Sequence, residues 1–267
     1  ELVRQAGLYA DRLSVNMEIP SVSGLRRLAP DKTHADIVEP MRAVQHEIVS
    51  QRDSARTIKS TPAFAPAGQS SQLIIGAAQE TDQQVLRTAD RLYRRFALKR
   101  VYYSGYVPLV SDRRLPAIDS RVPTMRENRL YQADWLMRFY GYQAEELLTE
   151  NQPFLDLDID PKLSWAMRHL AQFPVAVQTA SLEMILRIPG IGVKSAHKIV
   201  AARRFQSLTL DHLRRMGAAV NRARYFVLTA GGNPHLQYLT QADLLLRIAS
   251  DSRIERRLCA ARQMALF

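Results

Sequence analysis

The sequence predicts an α/β first part followed by an all-α, strongly basic C-terminal part. Three observations carry this. Residues 12–108 alternate strand-like and helix-like stretches. From about residue 175 onward only helical periodicity is legible. The charge is unevenly placed: residues 1–180 carry 23 basic and 21 acidic side chains, and residues 181–267 carry 14 and 5. With 267 residues and a prior of ~150 residues per domain, two domains are expected.

The elements follow in order. Arg12 to Ile19 alternates apolar and polar positions and stops at Pro20, which predicts a strand. Asp36 to Gln51 has helical spacing through Ile37, Met41, Val44 and Ile48. The Pro-, Gly- and Ser-rich stretch 60–72 reads as a loop, and Leu73 to Ala77 as a short buried strand. Thr81 caps a helix whose apolar stripe runs through Val85, Leu86, Ala89, Leu92, Tyr93 and Phe96. Lys99 to Val107 is a third strand, ended by Pro108. Alternation of this kind predicts parallel strands with crossover helices, in a doubly wound sheet or a barrel. Residues 109–125 hold two prolines and several charges and read as a linker or a long surface loop. Helices are expected from Glu127 to Tyr140, at 145–150, and from Pro161 to about Leu170, with Pro at the first helical position.

Composition narrows the function. The net charge of +11 points to a polyanionic partner, nucleic acid before an anionic membrane surface. The one cysteine, Cys259, excludes an internal disulfide framework and a Cys-rich zinc module. It also means that this chain alone cannot supply the thiolates of an iron–sulfur cluster. No apolar run reaches the ~20 residues of a membrane-spanning helix, and no secretory signal opens the chain, so a soluble protein of the reducing cytoplasm is expected. The first residue is Glu1 rather than Met, as expected of a processed chain or a fragment. The six histidines show no ligand-pair spacing. The Asp156-x-Asp158-x-Asp160 alternation lacks the Gly and distal Glu of a calcium loop, and Pro161 cuts it off.

The sharpest motif is Ser181 to Arg204, SLEMILRIPGIGVKSAHKIVAARR. A first helix, capped by Ser181, runs into Ile188-Pro189-Gly190-Ile191-Gly192, and a second helix follows. Pro189 stops the first helix. Gly190 and Gly192 permit positive φ and bring bare backbone to the surface, with Ile191 as an apolar plug between them. Gly192 precedes a helix N-terminus, where free N–H groups and the dipole attract an anion. Lys194 and Ser195 sit in that first turn, and Lys198 and Arg203 follow on the same helix. Residues 181–234 carry nine basic and two acidic side chains. The pattern closely resembles the helix-hairpin-helix of DNA repair and replication proteins, which grips backbone phosphates without reading bases. Residues 210–226, with Gly217, Arg222 and Arg224, resemble its companion hairpin.

Four further segments join this motif: ELVRQAGLYADRLSVNMEIPS from residue 1, FAPAGQSSQLIIGAAQETDQQVL from residue 64, LKRVYYSGYVPL from residue 98 and RENRLYQADWLMRFYGY from residue 126. Together they resemble the DNA modification/repair proteins of the radical S-adenosylmethionine superfamily, along essentially the whole chain. The resemblance implies an open (β/α)6 barrel followed by a helix-hairpin-helix DNA-binding region. The Cys-x-x-x-Cys-x-x-Cys loop of that family has no counterpart here. The resemblance therefore implies a C-terminal fragment: residues 1–110 as the second half of the barrel, 111–174 as a linker with connecting helices, and 175–267 as the all-α DNA-binding domain.

By position, the fourth barrel strand would offer polar side chains to the ribose of S-adenosylmethionine. Here that strand carries Ser14, Asn16 and Glu18, placed on one face by strand alternation. Many superfamily members carry Gly-x-Ile-x-Gly-x-x-Glu on the fifth strand. Ile74 and Gly76 match it, Gln72 replaces the first Gly, and Gln79 replaces the Glu, with Glu80 one residue late. Pro66, Gly68, Gln69, Tyr102 and Tyr106 are further candidates at the barrel mouth. The implied cofactors are S-adenosylmethionine and a 4Fe-4S cluster whose ligands lie outside this chain, and the implied partners are double-stranded DNA and an electron donor. The implied chemistry is reductive cleavage of S-adenosylmethionine to a radical that abstracts hydrogen. Two other readings remain. Helix-hairpin-helix glycosylases also carry a Lys two residues after the second Gly, as Lys194 does here, and a later Asp, for which Asp211 is the candidate. A DNA-binding module without chemistry is the third.

Overall fold

The structure is a computed structural model that describes residues 2–232 together with 243, 244, 247 and 248. The architecture is mixed α/β with small parallel sheets, and the described residues divide into two compact units: 2–137 with 142–158, and 138–141 with those from 159 onward.

In the first unit α1 (Leu2–Tyr9) leads into β1 (Leu13–Ser14), α2 (Val22–Leu28), α3 (His34–Thr57), β2 (Gln69–Ile75), α4 (Asp82–Phe96) and β3 (Arg100–Gly105). The strands form one parallel sheet in the order β1-β2-β3, with Ser14 opposite Ser70 and Gln72 opposite Tyr102. Two capping boxes set the helix starts: Thr33 with Asp36 at α3 and Thr81 with Gln84 at α4. The apolar stripe of α4 is buried at Val85, Leu86, Ala89, Leu92 and Phe96, while Tyr93 is only half-buried.

Strand β2 begins four residues earlier than its hydrophobicity suggests. Gln69, Ser70 and Ser71 are buried polar residues, a pattern that reads as loop. Two of them find side-chain partners that a loop would not need: Gln69 Nε2 donates to the carbonyls of Met41 and Phe96, and Ser71 Oγ accepts the N–H of Met17. Those bonds mark the face covered by α3 and α4, shared by Leu73, Ile75, Val101 and Tyr103. Alternation puts Ser14, Gln72, Ile74, Tyr102 and Ser104 on the opposite face, where all are at least partly exposed. Parallel sheets are ordinarily covered on both faces, so a polar, accessible face is unusual.

The two edges of this sheet differ. Helix α5 (Thr124–Tyr140) and α4 close the outer edge of β3: the N–H groups of Val101, Tyr103 and Gly105 donate to Tyr93 Oη, Tyr131 Oη and Glu127 Oε2, at 2.8–3.0 Å. On the other edge, the N–H of Ser14 in β1 has no acceptor among the described residues. The short helix α6 (Ala144–Leu147) completes this unit.

The second unit contains α7 (Pro161–Arg168), β4 (Val175–Ala176), α8 (Leu182–Arg187), α9 (Val193–Ala202), α10 (Leu210–Arg215), α11 (Val220–Ala223) and β5 (Val227–Leu228). Asp160 caps α7 through the N–H of Leu163, with Pro161 at the first helical position. The expectation of an all-α last third is corrected here, because β4 and β5 pair in parallel. Two-residue strands carry no readable period, so the sequence could not announce them. The core of this unit gathers Trp165, Ile185, Ile188, Ile191, Ile199 and Phe226, all at least 98% buried. Cys259 lies outside the described residues. Among the described residues, no helix is long and apolar enough to cross a membrane.

Candidate functional site

The hairpin is built as follows. Ser181 caps α8 by accepting the N–H of Met184. Helix α8 ends at Ile188, whose extended backbone leads into the turn. Gly190 has φ +86, and a Cβ there would lie 2.7 Å from the carbonyl oxygen of Ala219 and 3.0 Å from the nitrogen of Ala223. Its own carbonyl accepts the N–H of Ala219 at 2.8 Å. Gly190 is thus the point at which the first hairpin meets the segment 210–223. The approach is reciprocal, since Gly217, with φ +92, faces Ser195 Oγ.

Gly192 departs from expectation. It caps α9 at φ −90, ψ 167, an extended conformation open to any residue. What a side chain at 192 would change is access. The nearest atom to a Cβ there is Tyr140 Oη at 3.7 Å, so the space in front of the N-terminus of α9 is open. The N–H groups of Gly192, Lys194 and Ser195 have no acceptor among the described residues, as expected of the first turn of a helix. The N–H of Val193 is taken by the Tyr140 hydroxyl, whose own ionisation burial pushes up.

The side chains around this turn divide into two sets. Lys194 and Lys198 on α9, with Arg204 and Arg215, are exposed and engage no described partner. The others serve the fold. The Ser195 hydroxyl donates to the carbonyl of Met216 at 3.1 Å and is buried. Arg203 holds the carbonyls of Val177 and Ala180. Pro189 and Ile191 are buried, Ile191 as the plug. Arg222 pairs with Asp160 at 2.7 Å, and Asp211 with Arg214 at 2.6 Å. The hairpin's positive field therefore comes from fewer cations than the sequence displays.

In the first unit the proposed cofactor strand is interrupted. Strand β1 ends at Ser14, whose hydroxyl donates to Asn16 Oδ1 at 2.9 Å. Glu18 takes φ 59 and bridges to Leu73, while its carboxylate pairs with Lys32 at 3.1 Å. Strand alternation therefore does not carry through to Glu18, and only Ser14 and Asn16 are brought into contact. Ile74 lies on the accessible face of β2. Gly76, with φ +86, ends the strand, and Pro123 Cγ would lie 3.1 Å from a Cβ there. A covering loop accounts for that glycine.

Sequence reasoning overlooked the elements that brace the C-terminal ends of the strands. From the sequence, Arg126 and Asp134 on α5 could face the barrel, the DNA or solvent, with nothing to choose between them. In the structure Arg126 donates to Asp82 Oδ1 and to the carbonyl of Glu80, both at 2.6 Å. Asp82, 1% exposed, also accepts the N–H of Leu155. Asp134 is buried and accepts the hydroxyls of Tyr93 and Tyr103. Burial and the Asp134 charge push the Tyr103 phenol well above its ordinary range. Glu80, also buried, accepts the Ser21 hydroxyl at 2.7 Å and lines a cavity of about 220 Å³ with Ser23, Arg27, Gln79 and Gln84. Only the near-match of Glu80 to the fifth-strand motif hinted at it.

Among the described residues, no group of His, Cys, Asp and Glu could hold a metal ion. No protein-family model matches this chain, and no curated protein or solved structure matches it.

Proposed function

We propose that this chain grips the phosphate backbone of duplex DNA through the turn at Gly190–Gly192, as the DNA-binding part of a radical S-adenosylmethionine enzyme that modifies or repairs DNA. The observation that carries the DNA reading is the N-terminus of α9. Three N–H groups without acceptors face open space there, on a ten-residue helix whose dipole favours an anion. Exposed Lys194 and Lys198 stand on the same helix. Discrimination between sequences is weak on this reading, because phosphate contacts carry no base information.

The enzymatic part rests on the sheet. Its polar face offers Ser14, Asn16, Gln72 and Ser104, hydroxyl and amide groups suited to the hydroxyls and ring nitrogens of a nucleoside such as that of S-adenosylmethionine. The sealed edge of β3 and the open edge of β1 are as expected of the last three strands of an open barrel. The residues present do not fit a 4Fe-4S cluster, since this chain contains one cysteine. Its thiolate ligands would have to come from outside these 267 residues, and no chemical step is assigned to the residues here.

The test is the salt dependence of duplex binding by fluorescence anisotropy. With Lys194, Lys198, Arg204 and Arg215 contacting phosphates, the slope of log K against log salt is about −3 to −4. A slope near zero, or failure to bind any duplex, would contradict the reading.

A further inference from the structure

Beneath the turn lies a lysine that DNA contact does not use. Lys162, in the first turn of α7, is 9% exposed. Its Nζ donates to the carbonyl of Ile191 at 2.5 Å and sits 4.7 Å from the centre of the Tyr140 ring. A trans peptide points its C=O and its N–H in opposite directions. Drawing the Ile191 carbonyl inward therefore aims the N–H of Gly192 outward, into the open space before α9. The Tyr140 hydroxyl holds the N–H of the next residue, Val193. Two side chains from outside the hairpin thus set adjacent peptide groups of the turn.

We propose that Lys162 is a positioning residue of the phosphate-binding turn, holding the Ile191–Gly192 peptide with its N–H outward and placing a buried cation behind the bound anion. This rests on the reading of the turn as a DNA site. A buried ammonium is costly unless bonded or paired, and an apolar residue would fill the same space without that cost. The groups that face Lys162 are Tyr140 from α5, Asp160 at the start of α7 and Arg222 from α11. Asp160 and Arg222 are paired with each other at 2.7 Å, so neither is a dedicated counter-ion. Burial brings the Lys162 ammonium down to about 7, with Asp160 raising it and Arg222 lowering it. An arriving phosphate favours the charged form and raises that value, so binding takes up a proton. Affinity is accordingly strongest below pH 7 and falls as the pH rises through it.

The experiment is a duplex-DNA anisotropy titration of the whole chain from pH 6 to pH 8 at constant ionic strength, for the native protein, Lys162→Met and Gly192→Val. The native Kd should rise about threefold to tenfold across that range, one proton giving at most tenfold per unit. Lys162→Met should bind more weakly at pH 6 and lose that part of the pH dependence. Every other ionisable group is common to both proteins, so the difference between the profiles isolates Lys162. If Lys162→Met does not fold, a carbon-13 titration of lysine ε-carbons in the native chain decides. One resonance should have its midpoint near 7 and move upward on adding duplex. A native pH profile in folded Lys162→Met, or the absence of such a resonance, would overturn the proposal. If Gly192→Val abolishes binding while Lys162→Met keeps the native profile, this inference alone fails. If Gly192→Val binds normally, the DNA reading of the turn fails.

Discussion

Replacing Gly190 with alanine should unfold the second unit at markedly lower denaturant. An L-residue at φ +86 costs about 1–2 kcal/mol. The new methyl would also stand 2.7 Å from the Ala219 oxygen and 3.0 Å from the Ala223 nitrogen. Both are backbone atoms, and Ala219 is tied to Gly190 by its own hydrogen bond, so neither can withdraw without breaking that contact. Overpacking of this kind costs about 1–3 kcal/mol. Restricting the unfolded chain returns about 0.4–1 kcal/mol. The net loss is about 1–5 kcal/mol, a sizeable share of a typical 5–15 kcal/mol domain stability. Trp165 is buried in the second unit and Trp135 belongs to the first, so a Trp135→Phe background lets urea melts report on the second unit through Trp165. Gly192→Ala provides the contrast: with an extended backbone and open space, it should stay within about 1 kcal/mol of the native protein. A Gly190→Ala melt within about 0.5 kcal/mol of native would refute the account of the turn, since that is the scatter of ordinary surface substitutions.

Other consequences follow from the first unit. Arg126→Met leaves the buried Asp82 carboxylate without its cation and should destabilise that unit by about 3–5 kcal/mol, measured by urea denaturation. Arg126→Lys should restore only part of the loss, because one ammonium cannot reach both Asp82 and the Glu80 carbonyl with the planar fork that Arg126 uses. Anaerobic reconstitution of this chain with iron and sulfide should give no 4Fe-4S absorbance, and a stoichiometric cluster would show that ligands other than cysteine suffice.

What the sequence made legible was local. Helix starts at Thr81 and Pro161 follow from capping chemistry that acts over three residues. The two helices around Ile188–Gly192 follow from periodicity, a proline and two glycines. What stayed hidden depends on partners distant along the chain. Gln69 and Ser71 lie in a buried strand because Met41, Phe96 and Met17 supply their hydrogen bonds. Arg126 is drawn to Asp82, 44 residues away. Alternation alone placed Glu18 beside Ser14 and Asn16, but a left-handed backbone at Glu18 breaks it. In the hairpin, counting charges overstated the cations free to meet phosphate, because Arg203 and Arg222 are bound internally. Lys162 carried no signal at all, since its role depends on α7 passing behind the turn.

The central claim is that the N-terminus of α9 holds a DNA phosphate, and Gly192→Val tests it most directly. The structure has room for the valine, so the variant should fold, yet its branched side chain would stand before the free N–H groups. At fixed pH and salt, its affinity for duplex DNA should fall at least about tenfold, equivalent to 1.4 kcal/mol, while near-native urea stability shows that the turn is intact. Native affinity in the folded variant would contradict the claim, leaving the hairpin as a structural turn whose surrounding charge serves another partner.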